Sequence, residues 1–125
     1  LAHSQILINL MPLTADNTGI LSEQLFKKLP DQAALIQVGR GQHLIEQDLL
    51  NALDSDHLRG AILDVFEQEP LAAEHPFWQH EKIVVTPHVA SHAPMSVVVE
   101  QILENDRRLN LGLDLCHQVD VNKGY

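Results

Sequence analysis

The sequence predicts an α/β fold built on a parallel sheet. Two observations point there. Apolar strand-like runs alternate with amphipathic helical segments along the 125 residues, in the rhythm strand, helix, strand, helix, strand. The strand-like runs are apolar throughout and do not alternate with polar residues. That pattern marks a sheet covered on both faces, which goes with parallel strands joined by crossover helices.

Taken in order, "SQILINLM" (4–11) reads as a buried strand ending at Pro12. "PLTADNTGI" (12–20) is a loop of turn formers. "SEQLFKKLP" (22–30) is a short helix, with Ser22 as its cap, Glu23 in its first turn, Lys27 and Lys28 in its last, and Pro30 as its stop. "AALIQVGRG" (33–41) is the second strand and runs into a glycine turn. "IEQDLLNALDSDHL" (45–58) is a helix with Ile45, Leu49, Leu50 and Leu53 on one side. "GAILDVF" (60–66) and "KIVVTPH" (82–88) are the third and fourth strands. From Pro94 to Leu111, Met95, Val98, Val99, Ile102 and Leu103 recur at helical spacing opposite Glu100, Glu104, Asp106 and Arg107. The tail from His117 to Tyr125 has no helical period, and neither an internal repeat nor a low-complexity segment is present.

Composition removes several classes of function. An apolar fraction of 45% over this length supports one folded core. A net charge of −9, with basic pairs only at Lys27-Lys28 and Arg107-Arg108, argues against nucleic-acid and anionic-membrane binding. A single cysteine, Cys116, makes no internal disulfide, which points to a reducing compartment, most simply the cytoplasm. No apolar run has the length of a transmembrane helix. No leader pattern opens the chain, which begins with Leu1.

In a doubly wound sheet, function gathers at the carboxyl ends of the strands. Those ends carry Leu10-Met11-Pro12, Val38-Gly39-Arg40-Gly41, Asp64-Val65-Phe66 and Thr86-Pro87-His88. An Arg, an Asp, a Glu and a His would meet on one rim, a set able to clamp a carboxylate and move a proton. Each has an ordinary reading as well: a solvated Arg40, Asp64 capping a turn, Glu67 and Glu69 as loop charge, His88 as a satisfied core histidine. Arg40 departs most from it, because flanking glycines let the backbone approach a ligand. Eight histidines raise the question of a metal. His88 and His92 lie four apart and His75 and His80 five apart, but there is no HExxH, and Pro87 and Pro94 bracket the first pair. No metal is expected. "GRG" is the only GxG, with Leu44 where a third glycine would fall, and neither a Walker loop nor a GxSxG is present. Trp78, in "HPFWQH", is expected to pack its loop over the rim, with a place at a dimer contact as the alternative.

"INLMPLTADNTGIL", "LIQVGRG", "LDVFEQEPL" and "VTPHVASH" resemble, in order, the successive motifs of the D-isomer-specific 2-hydroxyacid dehydrogenases, over residues 5 to about 111. The "HPFWQH" loop and the ending in "GY" are most similar to the glyoxylate/hydroxypyruvate reductase A branch. The resemblance implies hydride transfer between a nicotinamide cofactor and a 2-oxo acid. It implies catalytic roles for Arg40, Glu69 and His88. It implies cofactor contacts at Leu10, Met11, Pro12, Val38, Gly39, Arg40, Asp64, His88 and Ser91. NADP or NAD would be the cofactor, with NADPH favoured by the reductase branch. Arg40 would hold the substrate carboxylate by a bidentate fork and steady the charge growing on the carbonyl oxygen. His88 would give that oxygen its proton, and Glu69 beside it would favour the imidazolium.

Family subunits insert the nucleotide domain into a substrate domain and act as homodimers. Against that plan, residues 1–90 would be the C-terminal half of the nucleotide-binding domain, the second half of a Rossmann-like sheet. Residues 91–125 would be the helix and tail returning to the substrate domain. The chain alone would then lack activity, and half a sheet would expose an apolar face that favours association. The alternative is a truncated, non-catalytic binding or assembly module descended from such an enzyme.

Overall fold

A computed structural model describes residues 1–91 and 93–121. Four parallel strands form one sheet: β1 (Ile6–Asn9), β2 (Ala33–Gln37), β3 (Leu58–Leu63) and β4 (Ile83–Val85), in the spatial order β1-β2-β3-β4. Helix α1 (Glu23–Phe26) joins β1 to β2, and α2 (Glu46–Asp54) joins β2 to β3. A 3-10 turn (Pro76–Trp78) lies between β3 and β4, and α3 (Met95–Asn110) follows the sheet. The chain divides into two compact units, Leu1–Ala90 and Ser91–Tyr125.

The first unit is an α/β half-sandwich. Ala33, Leu35, Ala61 and Leu63 point to one face of the sheet, where they pack with Phe26, Leu49, Leu53 and Phe77. Burial alternates along the strands although composition does not. Ile6, Ile8, Ile62 and Val84 point to the opposite face and are exposed. Strand register sets Ile8 beside Ile36, Ile36 beside Ile62, and Ile62 beside Val84, an aliphatic row straight across the sheet. The expectation of a sheet covered on both faces therefore holds for one face within Leu1–Ala90. The apolar composition of the strands records a two-sided sheet, but both helices of this unit pack on the same side.

Local details also differ from the sequence reading. Ser22 is the N-cap of α1 but its side chain makes no cap; Asp48 of α2 instead accepts the Glu23 N–H at 2.8 Å. Lys27 is the C-cap residue, with Glu23 one turn back at 2.7 Å. Ile45 precedes α2 and is exposed, while Leu49, Ala52 and Leu53 form the packed stripe. β3 starts at Leu58 and ends before Asp64, so the carboxylate stands just beyond the strand.

In the second unit, α3 buries none of its residues. Glu104 accepts from Arg107 and Arg108 on its own helix, which pull its carboxyl down to about 2. No helix among the described residues is long and apolar enough to cross a membrane. The Gly124-Tyr125 ending and His92 lie outside the described residues.

Candidate active site

The carboxyl ends of β1 to β4 lie along one edge, and what each strand carries there follows from where its ladder stops. β3 gives way to Asp64, which is 2% exposed. Its Oδ1 accepts from the Thr86 hydroxyl at 2.5 Å and the Val89 N–H at 2.9 Å, and its Oδ2 accepts from the Ala90 N–H at 2.8 Å. Burial pushes this carboxyl up, but those three donors outweigh it and hold the group below its ordinary value. Asp64 thus staples the segment after β4 and fixes the turn that presents His88. That turn is tight: His88 sits at φ +55°, the left-handed region that non-glycine residues seldom occupy.

Glu69 faces His88 across the rim. Its Oε2 lies 2.9 Å from His88 Nδ1, and its Oε1 accepts the Phe66 N–H at 3.0 Å. The histidine contact first, and the Phe66 N–H second, hold Glu69 below the usual carboxylate range. With Nδ1 engaged by the carboxylate, Nε2 is the imidazole nitrogen that remains to take up or give a proton. Glu67 between them is exposed, as the sequence suggests. The pair opens on a cavity of about 470 Å³ whose wall includes Phe66, Leu71, Trp78 and Val85. Trp78 is half exposed there and donates its Nε1–H to the Ala72 carbonyl at 2.8 Å, closing the loop that follows Pro70.

Arg40 lies at the end of β2, exposed, with Nη1 donating to the Gly39 carbonyl at 2.7 Å. It does not line that cavity. Its link to the Glu69–His88 pair is through the backbone. Gly41 lies so close to the Phe66-Glu67 peptide that a Cβ there would fall 1.9 Å from the Phe66 carbonyl. The turn carrying Arg40 and the loop carrying Glu69 are in direct backbone contact, which only glycine permits. Gly39 is also closed to a side chain: its Cβ would lie 2.8 Å from Asn9 Nδ2.

Leu10, Met11 and Pro12, at the end of β1, are exposed, Leu10 more so than Met11. Val38 is half-buried and Gly39 buried. Ser91 is exposed and belongs to the second unit. His75 and His80 pair separately, with Glu46 and Asp54, and among the described residues no group of three or more His, Cys, Asp or Glu is placed to hold a metal. Motif reading missed the fully buried His43 beneath the Arg40 turn. The available signal was a pair of polar residues, Asn9 and Gln37, ending two apolar strands in matched register.

A nicotinamide group fits this edge in part. Among the described residues, three of the four lone-pair positions of the Asp64 carboxylate are used, and the fourth, on Oδ2, matches an amide donor in chemistry. The exposed 10–12 loop gives access beside the end of β1, whereas Gly39 is packed against Asn9, His43 and the Met11 carbonyl.

Comparison with known proteins agrees with this architecture. Residues 1–90 match the family model described as the D-isomer specific 2-hydroxyacid dehydrogenase NAD-binding domain. A 2-hydroxyacid dehydrogenase family protein from Klebsiella pneumoniae is 51% identical with TM-score 0.88, covering 96% of this chain and 39% of that one. A dehydrogenase from Xanthobacter autotrophicus, solved with NADPH, is 41% identical with TM-score 0.94, covering 100% and 52%. An NADPH-dependent glyoxylate/hydroxypyruvate reductase from Sinorhizobium meliloti, solved with NADP, is 40% identical with TM-score 0.94, covering 100% and 41%. The chain thus spans between 39% and 52% of the length of these relatives. With its parallel Rossmann-like sheet and a family match over residues 1–90, this chain belongs to the D-isomer specific 2-hydroxyacid dehydrogenase family.

Proposed function

We propose that the protein carrying this chain reduces a small 2-oxo acid, such as glyoxylate or hydroxypyruvate, with NADPH or NADH. The observation that carries the reading is the Glu69–His88 pair at 2.9 Å, opening on a cavity. A bound nicotinamide cofactor would supply the hydride. Glu69, kept ionised, steadies a positive imidazole, and His88 Nε2 donates its proton to the carbonyl oxygen as negative charge develops there. Arg40 takes the substrate carboxylate in a two-point fork, which a lysine cannot reproduce. The Leu10–Pro12 loop, Val38, Gly39 and Asp64 make the nicotinamide wall, and the family resemblance adds Ser91 as a cofactor contact.

In this reading, residues 1–90 are the C-terminal half of a nucleotide-binding domain. Residues 91–125 return to a substrate domain; the other part of that domain, and the first βαβ unit of the nucleotide-binding domain with its phosphate-binding glycine turn, are not among the residues of this chain. The chain alone would be inactive, and the whole enzyme a homodimer. The single Cys116 fits a reducing cytoplasm. NADPH is the favoured cofactor because the Xanthobacter and Sinorhizobium relatives were solved with NADPH or NADP.

The test is a turnover assay of the full-length protein with glyoxylate and hydroxypyruvate, each with NADPH and NADH, against the 125-residue chain. Reduction by the former and none by the latter is expected. A full-length protein inert toward every 2-oxo acid would refute the reading.

A further inference from the structure

Beneath the rim lies a hydrogen-bonded cluster that none of the proposed catalytic steps uses. His43 and Gln37 are fully buried and Asn9 is 3% exposed. His43 Nδ1 lies 2.9 Å from Asn9 Nδ2 and 3.2 Å from the Arg40 backbone N–H. Both neighbours are donors, so Nδ1 must be the bare, accepting nitrogen. The ring proton then sits on Nε2 and donates to Asn17 Oδ1 at 3.1 Å. Asn17 in turn grips the first loop at two points: its Oδ1 accepts the Thr14 N–H and its Nδ2 donates to the Pro12 carbonyl, both at 2.8 Å. Asn9 Oδ1 accepts the Met11 N–H at 3.1 Å. Gln37 completes the Arg40 side, its Nε2 donating to the Arg40 carbonyl at 2.8 Å. The Arg40 peptide groups are therefore held from below at both the N–H and the C=O.

One imidazole thus bridges two separate walls. Its Nδ1 edge fixes the turn bearing Arg40, and its Nε2 edge fixes, through Asn17, the loop from Pro12 to Thr14. We propose that His43, as the neutral Nε2–H tautomer, is a positioning residue that sets the substrate-carboxylate arginine in register with the cofactor-side loop. This rests on the function proposed above. A protonated ring, or the other tautomer, would turn a donor toward Asn9 and Arg40 and break the bridge. Any residue at position 43 must therefore accept on one side and donate on the other.

The two edges can be separated by substitution. His43→Asn keeps an amide oxygen near the Nδ1 position but does not reach Asn17. His43→Gln reaches Asn17 but gives up the Nδ1 acceptor. In the full-length protein, His43→Asn is expected to raise the NADPH KM about tenfold, the loss of roughly one buried hydrogen bond, with little change in the 2-oxo acid KM. His43→Gln is expected to do the reverse. Asn17→Ala, at a half-exposed site, removes the loop clamp alone and should copy His43→Asn, both in KM and in the NADPH Kd read by fluorescence. Hydrogen exchange reads the bridge without turnover: the Thr14 amide should exchange faster in Asn17→Ala, and the Arg40 amide faster in His43→Gln. Parallel losses in both KM values, with a lowered Tm and no split between variants, would mean plain packing and overturn the proposal. Unchanged NADPH binding and unchanged Thr14 exchange in Asn17→Ala would overturn it even if neither His43 variant folds. A parent that binds NADPH yet reduces no 2-oxo acid would sink the proposed function instead, leaving the exchange measurements to decide the bridge.

Discussion

Replacing Gly41 with alanine adds one methyl group where the Phe66 carbonyl carbon and oxygen would stand 1.9 Å away and the Glu67 nitrogen 2.3 Å away. Carbon atoms in good contact lie about 3.5–4.0 Å apart, so the two backbones must part by about 1.6 Å. Neither is a flexible side chain able to swing aside. The separation pulls on the Phe66 N–H that holds Glu69 Oε1, and through Glu69 on the contact with His88. Overpacking of this kind costs about 1–3 kcal/mol. A misplacement near 1 Å in a reacting constellation costs about 10²-fold in rate. Gly60→Ala is the matched control. Its Cβ would lie 3.2 Å from the Lys82 carbonyl oxygen, at a position on β3 remote from the rim. Urea denaturation and steady-state reduction of glyoxylate, run on both variants of the full-length protein, give the comparison. Gly41→Ala should lose both stability and kcat/KM, whereas Gly60→Ala should keep its kcat/KM. If Gly41→Ala matches Gly60→Ala in both measurements, backbone contact between the arginine turn and the glutamate loop does not organise the site.

Two further expectations concern protons. Glu69→Gln removes the negative charge that favours the His88 imidazolium, so the limb where reduction declines with rising pH should move to lower pH; an unmoved pH–rate profile would break the pairing. Asp64→Asn replaces an acceptor of three hydrogen bonds with a group that turns an NH₂ toward one of those donors, at a cost of about 1–3 kcal/mol near neutral pH. Because the folded carboxyl lies below its ordinary 3.8, the wild-type advantage is full above that pH and drains away as pH falls through the lower folded value. Stability curves of the two proteins should therefore converge in acid; a constant offset down to low pH would remove Asp64 as the staple.

The strands were legible because a buried parallel strand needs a run of apolar residues, and four such runs are present. Which face each residue meets was not legible, since Ile36 and Leu35 look alike in a sequence and differ only in what lies above them. Of the candidate site, the meeting of Glu69 with His88 was legible, because an imidazole that moves a proton calls for a carboxylate beside it; Arg40 lies outside the cavity of that pair. The site was illegible where chemistry works through the backbone. Asp64 reads as a cofactor contact or a turn cap, but its hydrogen bonds to Thr86, Val89 and Ala90 exist only because β3 and β4 end side by side. His43 was hidden for the same reason: its side-chain partners, Asn9 and Asn17, lie 34 and 26 residues away.

The strand order has a consequence for how the sheet assembles. Every strand pairs with its neighbour in the chain, and representative partners Ile6 and Ala34, Leu35 and Ala61, Ala61 and Ile83 are 28, 26 and 22 residues apart. Loop-closure entropy grows only with the logarithm of length, so these closures differ by about 0.2 kcal/mol. Topology therefore gives no pairing a head start. Precedence falls to the pair whose closure also gathers the most oil, β2 with β3, where Leu35, Leu58, Ala61 and Leu63 meet Leu49 and Leu53 of the helix between them. On that account the arginine turn takes shape in the earliest stage of folding, and the Asp64 staple and His88 come last, as β4 docks onto an edge that is already formed.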